Sequence, residues 1–433
     1  VCSSLLFSFF LVFLVSLLFL SFLPFFLMML SLQSFRCLPV SSLVSSSLVS
    51  SLTSSWFSSS FPCPSLRETP LYEEHVKLKG KMVDFAGWSL PVTYQKSLTD
   101  SHFHTRTNAS VFDVSHMLQI VIEGKDRIPF IEKATVADLQ GPSKKQKATY
   151  TLMTNKNGGV IDDCMVTAYH DHLYLVVNAA CAEKDWEHLH SIKEGFDVQI
   201  RKLDNALIAL QGPLASKVLS PLVSVNLKQM EFLASHRLIV GGESCIVTRC
   251  GYTGEDGFEI SVPPDSAADL WNMFLDYDRE KIWPAGLGVR DSLRLESGLC
   301  LYGNDLDDTT TPMEAALLWT ISKRRRQEGG FLGEEVILDQ IKTKKYQRKR
   351  VGIMLKVKGV PREGAEILSP DGEVIGNLTS GSFSPVLKQA IGMAYVHPSF
   401  SKIGTELLVR VKNKTFLAEV EKLPFLPTNY YSV

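Results

Sequence analysis

Apolar and polar positions follow two regimes along this chain. Residues 1–33 are apolar almost without interruption and carry no charge. From residue 67 onward the apolar positions break into short periodic runs. Segments 117–123 (MLQIVIE), 160–168 (VIDDCMVTA), 173–177 (LYLVV), 198–210 (VQIRKLDNALIAL), 237–248 (RLIVGGESCIVT) and 257–262 (GFEISV) read as strands. Segments 182–194 and 264–280 predict amphipathic helices, with Trp186, Leu189 and Ile192 on one face of the first. The elements alternate irregularly and are punctuated by Gly212-Pro213, Pro263-Pro264 and Pro284, which predicts an α+β fold rather than a βαβ repeat. Composition shifts at 321–350, where SKRRRQEGG leads into the basic run IKTKKYQRKR. Beyond it, GIMLKV, PDGEVIGNLTSG, AIGMAYV and TELLVRVKNKTFLAEVEKLPF are short β patterns joined by turns, the signature of a small C-terminal β barrel. A domain boundary is expected near 326–334.

At roughly 100–200 residues per domain, 433 residues accommodate two to four domains. Residues 1–66 contain one charged side chain, Arg36, so nearly all the charge lies in 67–433, an ordinary soluble composition. The net charge of −1 supplies no overall attraction to nucleic acid or anionic membrane. The leader, residues 1–66, has three readings. It is long enough to cross a bilayer at about 20 residues per span, yet no basic region precedes its apolar run. A mitochondrial transit peptide should be amphipathic and rich in Arg, and only Arg36 and Arg67 answer to that. The chain opens on Val, so the favoured expectation is a misassigned start, and the leader is given no weight in assigning function.

The eight Cys form no CxxC pair, and reduced, mostly buried thiols are expected. His102/His104 and His170/His172 are i,i+2 pairs that would share one side of a strand, but no Glu or Cys completes a metal set, and no metal is expected.

Three stretches hold candidate chemistry. In Gly158-Gly159-Val160-Ile161-Asp162-Asp163 two carboxylates open an apolar strand, and alternation lets only one of them enter a given pocket. Such an Asp can accept a proton from a substrate amine, while a turn with a polar lip is the plainer reading. In TRCGYTGEDGFEIS the glycine spacing fits no phosphate loop. Glu259 there stands between Phe258 and Ile260, either on the surface or alone in a pocket, where it would suit two adjacent N–H donors. Arg290 and Arg294, at i,i+4, could grip a carboxylate together. The basic runs 323–326 and 342–350 read as solvated linker or as a dock for an acidic partner.

The segments LYEEHVKLKGKMVDFAGWSLPVTY, FDVSHM, TNKNGGVIDD, NALIALQGP, TRCGYTGEDGFEIS, RDSLRLESGLCLYGNDLD, TPMEAALLWT and LPFLPTNYY, in this order, resemble the glycine cleavage T-protein family, aminomethyltransferases, in its animal mitochondrial form. The resemblance spans about residues 67–433. It implies a multidomain folate-binding fold: a folate region of two subdomains over 67–326 and a barrel over 334–428. It implies transfer of a methylene carbon from the aminomethyl-lipoyl arm of H protein to tetrahydrofolate, a co-substrate. The products would be 5,10-methylenetetrahydrofolate, ammonia and dihydrolipoyl H protein. The implied partners are lipoylated H protein and tetrahydrofolate, with no nucleic acid and no membrane contact of the mature body, and the implied location is the mitochondrial matrix.

By motif, the resemblance makes Asp163 the catalytic residue, Glu259 the pterin-recognising carboxylate, Arg290 a folate contact and Tyr430 a substrate contact, with Tyr431 adjoining it as the alternative. It places Tyr252 and Asn178 in motifs lining the same pocket. A non-catalytic folate-binding relative of iron–sulfur assembly is the rival, but Gly298-Leu299-Cys300-Leu301-Tyr302-Gly303-Asn304-Asp305 has the transferase form of the segment that sets the two apart. A demethylating flavoenzyme would need a dinucleotide motif that is missing before the body. A membrane-anchored interaction protein would rest on the leader alone.

Overall fold

The computed structural model describes residues 65–432 apart from 142, 143, 357, 358 and 413, so the readings of the leader fall almost wholly outside the described residues. Strands β1 (Lys81–Phe85) and β2 (Trp88–Thr93) form a hairpin. Then come β3 (Ala109–Asp113), β4 (Leu118–Glu123), β5 (Ala148–Thr154), β6 (Val160–Ala168), β7 (His172–Val177) and β8 (Gln199–Leu203). They are followed by β9 (Ala206–Gln211), β10 (Ser235–Val240), β11 (Glu243–Thr248), β12 (Gly257–Val262) and β13 (Ile282–Pro284). One sheet has the order β5-β6-β7-β4-β8 and another the order β10-β11-β12-β9-β3-β13.

Alternation along these strands explains the layering. In β9, Ala206, Ile208 and Leu210 join the core beneath the helix Ala267–Tyr277, while Leu207 and Ala209 face the other way. In β7, Leu173, Leu175 and Val177 pack with the helices Arg127–Ala134 and Ala182–Ser191, while Tyr174 and Val176 face the other way. The two inner faces meet in one cluster that includes Phe112, Tyr174, Leu207 and Leu293. Both faces of each central strand are therefore buried, which produces continuous apolar runs such as ALIALQ.

Two expected strands prove to be two elements each. Segment 198–210 breaks at Asp204-Asn205, where the chain leaves β8 in one sheet and enters β9 in the other. Segment 237–248 is the β10–β11 hairpin, turned at Gly241 and Gly242, both with positive φ. An apolar run does not reveal a sheet change, because both sheets demand the same side chains. The expected helices appear at Ala182–Ser191 and Ala267–Tyr277.

The C-terminal barrel closes in the order β14 (Lys349–Leu355), β17 (Gln389–Val396), β16 (Val374–Ser384), β15 (Glu366–Leu368), β18 (Glu406–Val411) and β19 (Lys414–Glu421). Ile353, Leu378, Leu407 and Val409 fill its interior. The helix Leu287–Glu296 ties the barrel to the sheets. Leu295 packs on Ile391 and Met393, and Arg294 bonds Asp305 (2.8 Å) and Ser380 (3.0 Å). Asp305 also accepts from Ser380 Oγ (2.8 Å) and from the Thr379 hydroxyl, so this buried charge pair is held on several sides.

The arginines of 323–326 are neither solvated nor free to dock a partner. Arg324 Nη2 reaches Glu132 (2.6 Å) and Asp138 (2.8 Å). Arg325 is buried on backbone carbonyls, and Arg326 bonds the carbonyls of Ile321 (2.7 Å) and Leu318 (2.8 Å). Arg326 thereby holds the turn Leu318–Thr320. His102 and His104 lie on the helix Leu98–Thr107, not on a strand, and both are occupied. His102 bonds Ser292 (2.8 Å) and Glu296 (2.9 Å), and His104 bonds the Lys281 carbonyl (2.9 Å). Among the described residues no group of three His, Cys, Asp or Glu side chains could hold a metal ion, and no helix is long and apolar enough to cross a membrane. Cys164, Cys181, Cys245, Cys250 and Cys300 are free and buried.

Candidate active site

The two sheets and the barrel border a cavity of about 1270 Å³. Asp163, Glu259, Arg290, Tyr430, Tyr252 and Asn178 all line it. The β5–β6 hairpin explains the position of Asp163. Gly158 turns the chain at φ +81°, and a Cβ on Gly159 would stand 1.8 Å from the Asp308 carbonyl oxygen, so only glycine admits that approach. In β6, Asp163 and Met165 share the face toward the cavity, whereas Cys164 and Val166 enter the core behind the sheet. Asp162 is fully buried on that rear face and accepts the Asn178 backbone N–H (3.0 Å) and side-chain amide (2.9 Å).

Asp163 Oδ2 accepts the Tyr150 hydroxyl (3.0 Å), and its Oδ1 accepts the Asn178 amide (3.0 Å). Burial, and next the charge of Asp162, push its carboxyl up to about 7, against the pull of the Tyr150 and Asn178 hydrogen bonds. A carboxylate in this range can hold or release a proton near neutrality.

Glu259 projects from β12 on the face opposite Phe258 and Ile260, into the cavity, and the Cys250 thiol donates to it at 3.5 Å. The Arg290 guanidinium lies 4.6 Å from the centre of the Tyr252 ring. Burial disfavours its charge and Glu259 supports it. The Tyr252 hydroxyl is tied to the Cys300 carbonyl. Arg294 does not join Arg290 as a second grip. Its side chain is spent on Asp291 (2.8 Å), Asp305 and Ser380, because the helix turns its face to the barrel. Tyr430 stacks on Phe232 with ring centres 4.3 Å apart, at the cavity wall. Tyr431 turns away, under the Arg249 guanidinium (3.6 Å) and bonded to the Lys228 carbonyl (3.0 Å). The backbone pair of Asn429 with Gly254 and its side chain on Glu255 (3.0 Å) strap this tail in place.

Three further cavity residues receive no role from the sequence, although His116 and Trp319 stand within the motifs FDVSHM and TPMEAALLWT. Tyr150 pairs across the hairpin with Met165, two positions from Asp163, which a register for the hairpin around Gly158-Gly159 would have revealed. Trp319, 65% exposed, stacks on Tyr150 at 5.6 Å. His116, from FDVSHM, is buried with Nδ1 unpartnered among the described residues, and burial lowers its ring to about 4. No spacing signal announces either of the last two.

Tyr150→Phe removes a hydrogen bond that favours the charged form of Asp163, so the carboxyl rises further. The acidic limb of turnover should move to higher pH by up to about one unit, the equivalent of ~0.5–1.5 kcal/mol for one hydrogen bond. A pH profile of kcat for the variant checks this, and an unmoved limb would dissociate Tyr150 from Asp163.

Residues 71–325 match the GCVT N-terminal domain, and residues 348–426 match the glycine cleavage T-protein C-terminal barrel domain. The chain is 50% identical over 376 residues to a human mitochondrial aminomethyltransferase, covering 85% of this chain and 92% of the relative. It is 47% identical over 391 residues to the mitochondrial aminomethyltransferase of Dictyostelium discoideum, covering 87% and 95%. The Solanum tuberosum protein of the same name is 49% identical over 373 residues, covering 84% and 91%. The crystal structure of glycine cleavage system aminomethyltransferase T from Bartonella henselae superposes with a TM-score of 0.80 at 36% identity, covering 85% of this chain and all of that one. Nothing in these comparisons supports the iron–sulfur alternative, and the mitochondrial location is that of the named relatives. The two matched domains, the closed barrel and the near-complete coverage of three relatives lead to one conclusion: the chain belongs to the glycine cleavage T-protein family of aminomethyltransferases.

Proposed function

We propose that this aminomethyltransferase takes the methylene carbon from an aminomethyl group carried through sulfur on the lipoyl arm of H protein, and passes it to tetrahydrofolate. Two carbon–nitrogen bonds form, to N5 and N10 of the folate. The carbon–sulfur bond and the original carbon–nitrogen bond break. The two displaced protons leave with the ammonia and the dihydrolipoyl thiol. The observation that carries this reading is the common cavity of Asp163, Glu259 and Arg290.

Glu259 supplies an acceptor for the adjacent N–H donors of a reduced pterin. Asp163 stands to take the N5 proton, or to steady positive charge as the amine attacks, and its low-dielectric setting magnifies either effect. Arg290 offers a fixed cation beside Glu259, and Tyr252 and Asn178 hold Arg290 and Asp163 in place. Tyr430, rather than Tyr431, is the tail residue at the substrate, as its position on the cavity wall supports. For the organisation of the chain we propose a folate region of two subdomains over 67–326 and a barrel domain over 334–428. The pair of sheets and the closed barrel support that division.

The deciding experiment mixes the purified chain with aminomethyl-loaded H protein, with and without tetrahydrofolate. Methylenetetrahydrofolate and ammonia should appear together, in equal amounts, only with both. Absence of folate-dependent turnover would overturn the proposal. The same assay checks the pH dependence. A base must be ionised, so turnover should rise as pH increases through about 7 and fall below it.

A further inference from the structure

Behind the sheet that carries Asp163 lies a second carboxyl that the proposed reaction does not use. Asp185, on the helix Ala182–Ser191, is fully buried, and neither of its oxygens has a hydrogen-bond donor among the described residues. An ionised carboxylate so placed would be strongly disfavoured. The cation that acts on it, Lys184, is engaged elsewhere, on the Tyr302 hydroxyl (2.6 Å) and Asp308 (3.2 Å). The helix packs against the rear face of the sheet, where Asp162 is likewise fully buried, and the charge of Asp162 is the one that bears most on Asp185. Two carboxylates are both acceptors and cannot bond each other, but one proton between them makes the contact a hydrogen bond.

We propose that Asp185 carries a proton at neutral pH and donates it in a hydrogen bond to Asp162, and so acts as a positioning residue that sets the proton affinity of Asp163. This rests on the reading of Asp163 as the proton acceptor. The chain of contacts is continuous. Asp162, which would accept the Asp185 proton, already accepts the Asn178 N–H and amide, and the same Asn178 amide reaches Asp163 Oδ1. Burial first, and then the charge of Asp162, raise Asp185 far above the usual carboxylate range, which agrees with a held proton. Burial raises Asp162 too, the donated bonds oppose that rise by favouring its charged form, and the negative charge of that form in turn raises Asp163. The other titratable or charged groups around the pair are Lys184, Cys164 and Cys181, with Tyr302 and Asp308 beyond Lys184. Tyr150, Tyr252 and Cys300 face Asp163 from the cavity side.

Asp185→Asn keeps a neutral donor, so its turnover and its acidic limb should stay within about twofold and a few tenths of a unit of wild type. Asp185→Ala removes the donor. Asp162 then takes a proton, the repulsion on Asp163 falls, and the acidic limb should move to lower pH by about one unit, a tenfold difference in rate on that limb. A purely structural role would lower stability or kcat without moving the limb, and an unmoved limb in Asp185→Ala overturns the proposal. A second arm needs no turnover. In the Asp163→Asn background, the infrared spectrum at neutral pH should hold a protonated-carboxyl band that Asp185→Asn removes. If no band is lost, Asp185 is ionised and the proposal fails, even where Asp185→Ala does not fold. Near-normal turnover of Asp163→Asn with the band intact would instead overturn the reading of the reaction and leave Asp185 protonated.

Discussion

Asp163→Asn should fold, bind folate and lose most turnover. The substitution keeps the shape, leaves one oxygen to accept the Asn178 amide and an N–H2 to donate to the Tyr150 hydroxyl in place of accepting from it, and removes the ability to take a proton or bear a charge. A positioned general base contributes about 10²–10⁴ in rate, so kcat should fall by roughly that factor while the KM for folate changes little. The stability effect has the opposite sign. Asp163 has a higher proton affinity in the folded chain than in the unfolded one, so its stabilising contribution belongs to low pH and is lost as pH rises through about 7. Above that pH the native state confines a carboxylate it would rather protonate. Asn carries no such cost, and its melting temperature above neutrality should equal or exceed that of the wild type. Thermal melts alongside single-turnover kinetics test both halves. Turnover within a few-fold of wild type would remove Asp163 from the chemistry. A large fall in melting temperature would make the loss a folding defect.

Glu259→Gln should act on binding instead. A carboxylate offers acceptors to both donors of the pterin edge, whereas an amide offers one acceptor and turns a donor toward the other N–H. Hydrogen bonds to a charged partner are worth about 1.5–3 kcal/mol, so folate affinity should fall on the order of 10- to 150-fold. Arg290 also loses the charge that supports its own. The expected signature is a raised KM for tetrahydrofolate with kcat at saturation largely preserved, the mirror of Asp163→Asn. An unchanged KM would show that the pterin edge is read elsewhere. Titration of folate binding by calorimetry, with H protein omitted, separates this from any effect on the partner.

The two variants also show how much of the site could be read from the chain. Strand alternation alone said that only one of Asp162 and Asp163 could enter a pocket, and the structure assigns the cavity to Asp163 and the rear face to Asp162. The same rule set Glu259 apart from Phe258 and Ile260. Motif resemblance chose between the readings that alternation left open, because a turn with a polar lip obeys the same local pattern as a catalytic strand. The arginine pair fared differently. Arg290 and Arg294 share a helix face by spacing, yet only Arg290 meets the cavity with its charge unspent, since Asp305 and Ser380 arrive from distant parts of the chain and claim its neighbour. The basic run 323–326 was misjudged for the same reason: Glu132 and Asp138, its partners, lie nearly 190 residues earlier.

Sequence by itself determined the strands and helices with a clear period, the α+β class, the barrel and, through motif resemblance, the family and its candidate residues. Those features depend on local periodicity, turn chemistry and short motifs, which a chain states in order. Tertiary structure alone decided which sheet each apolar run joined, that Tyr150 bonds Asp163 and carries Trp319 stacked upon it, and that Asp185 is buried with no donor to its oxygens among the described residues. Those features depend on contacts between segments far apart in the chain, and burial, which raises a carboxylate or silences an arginine, is a property of the assembled surroundings rather than of the residue.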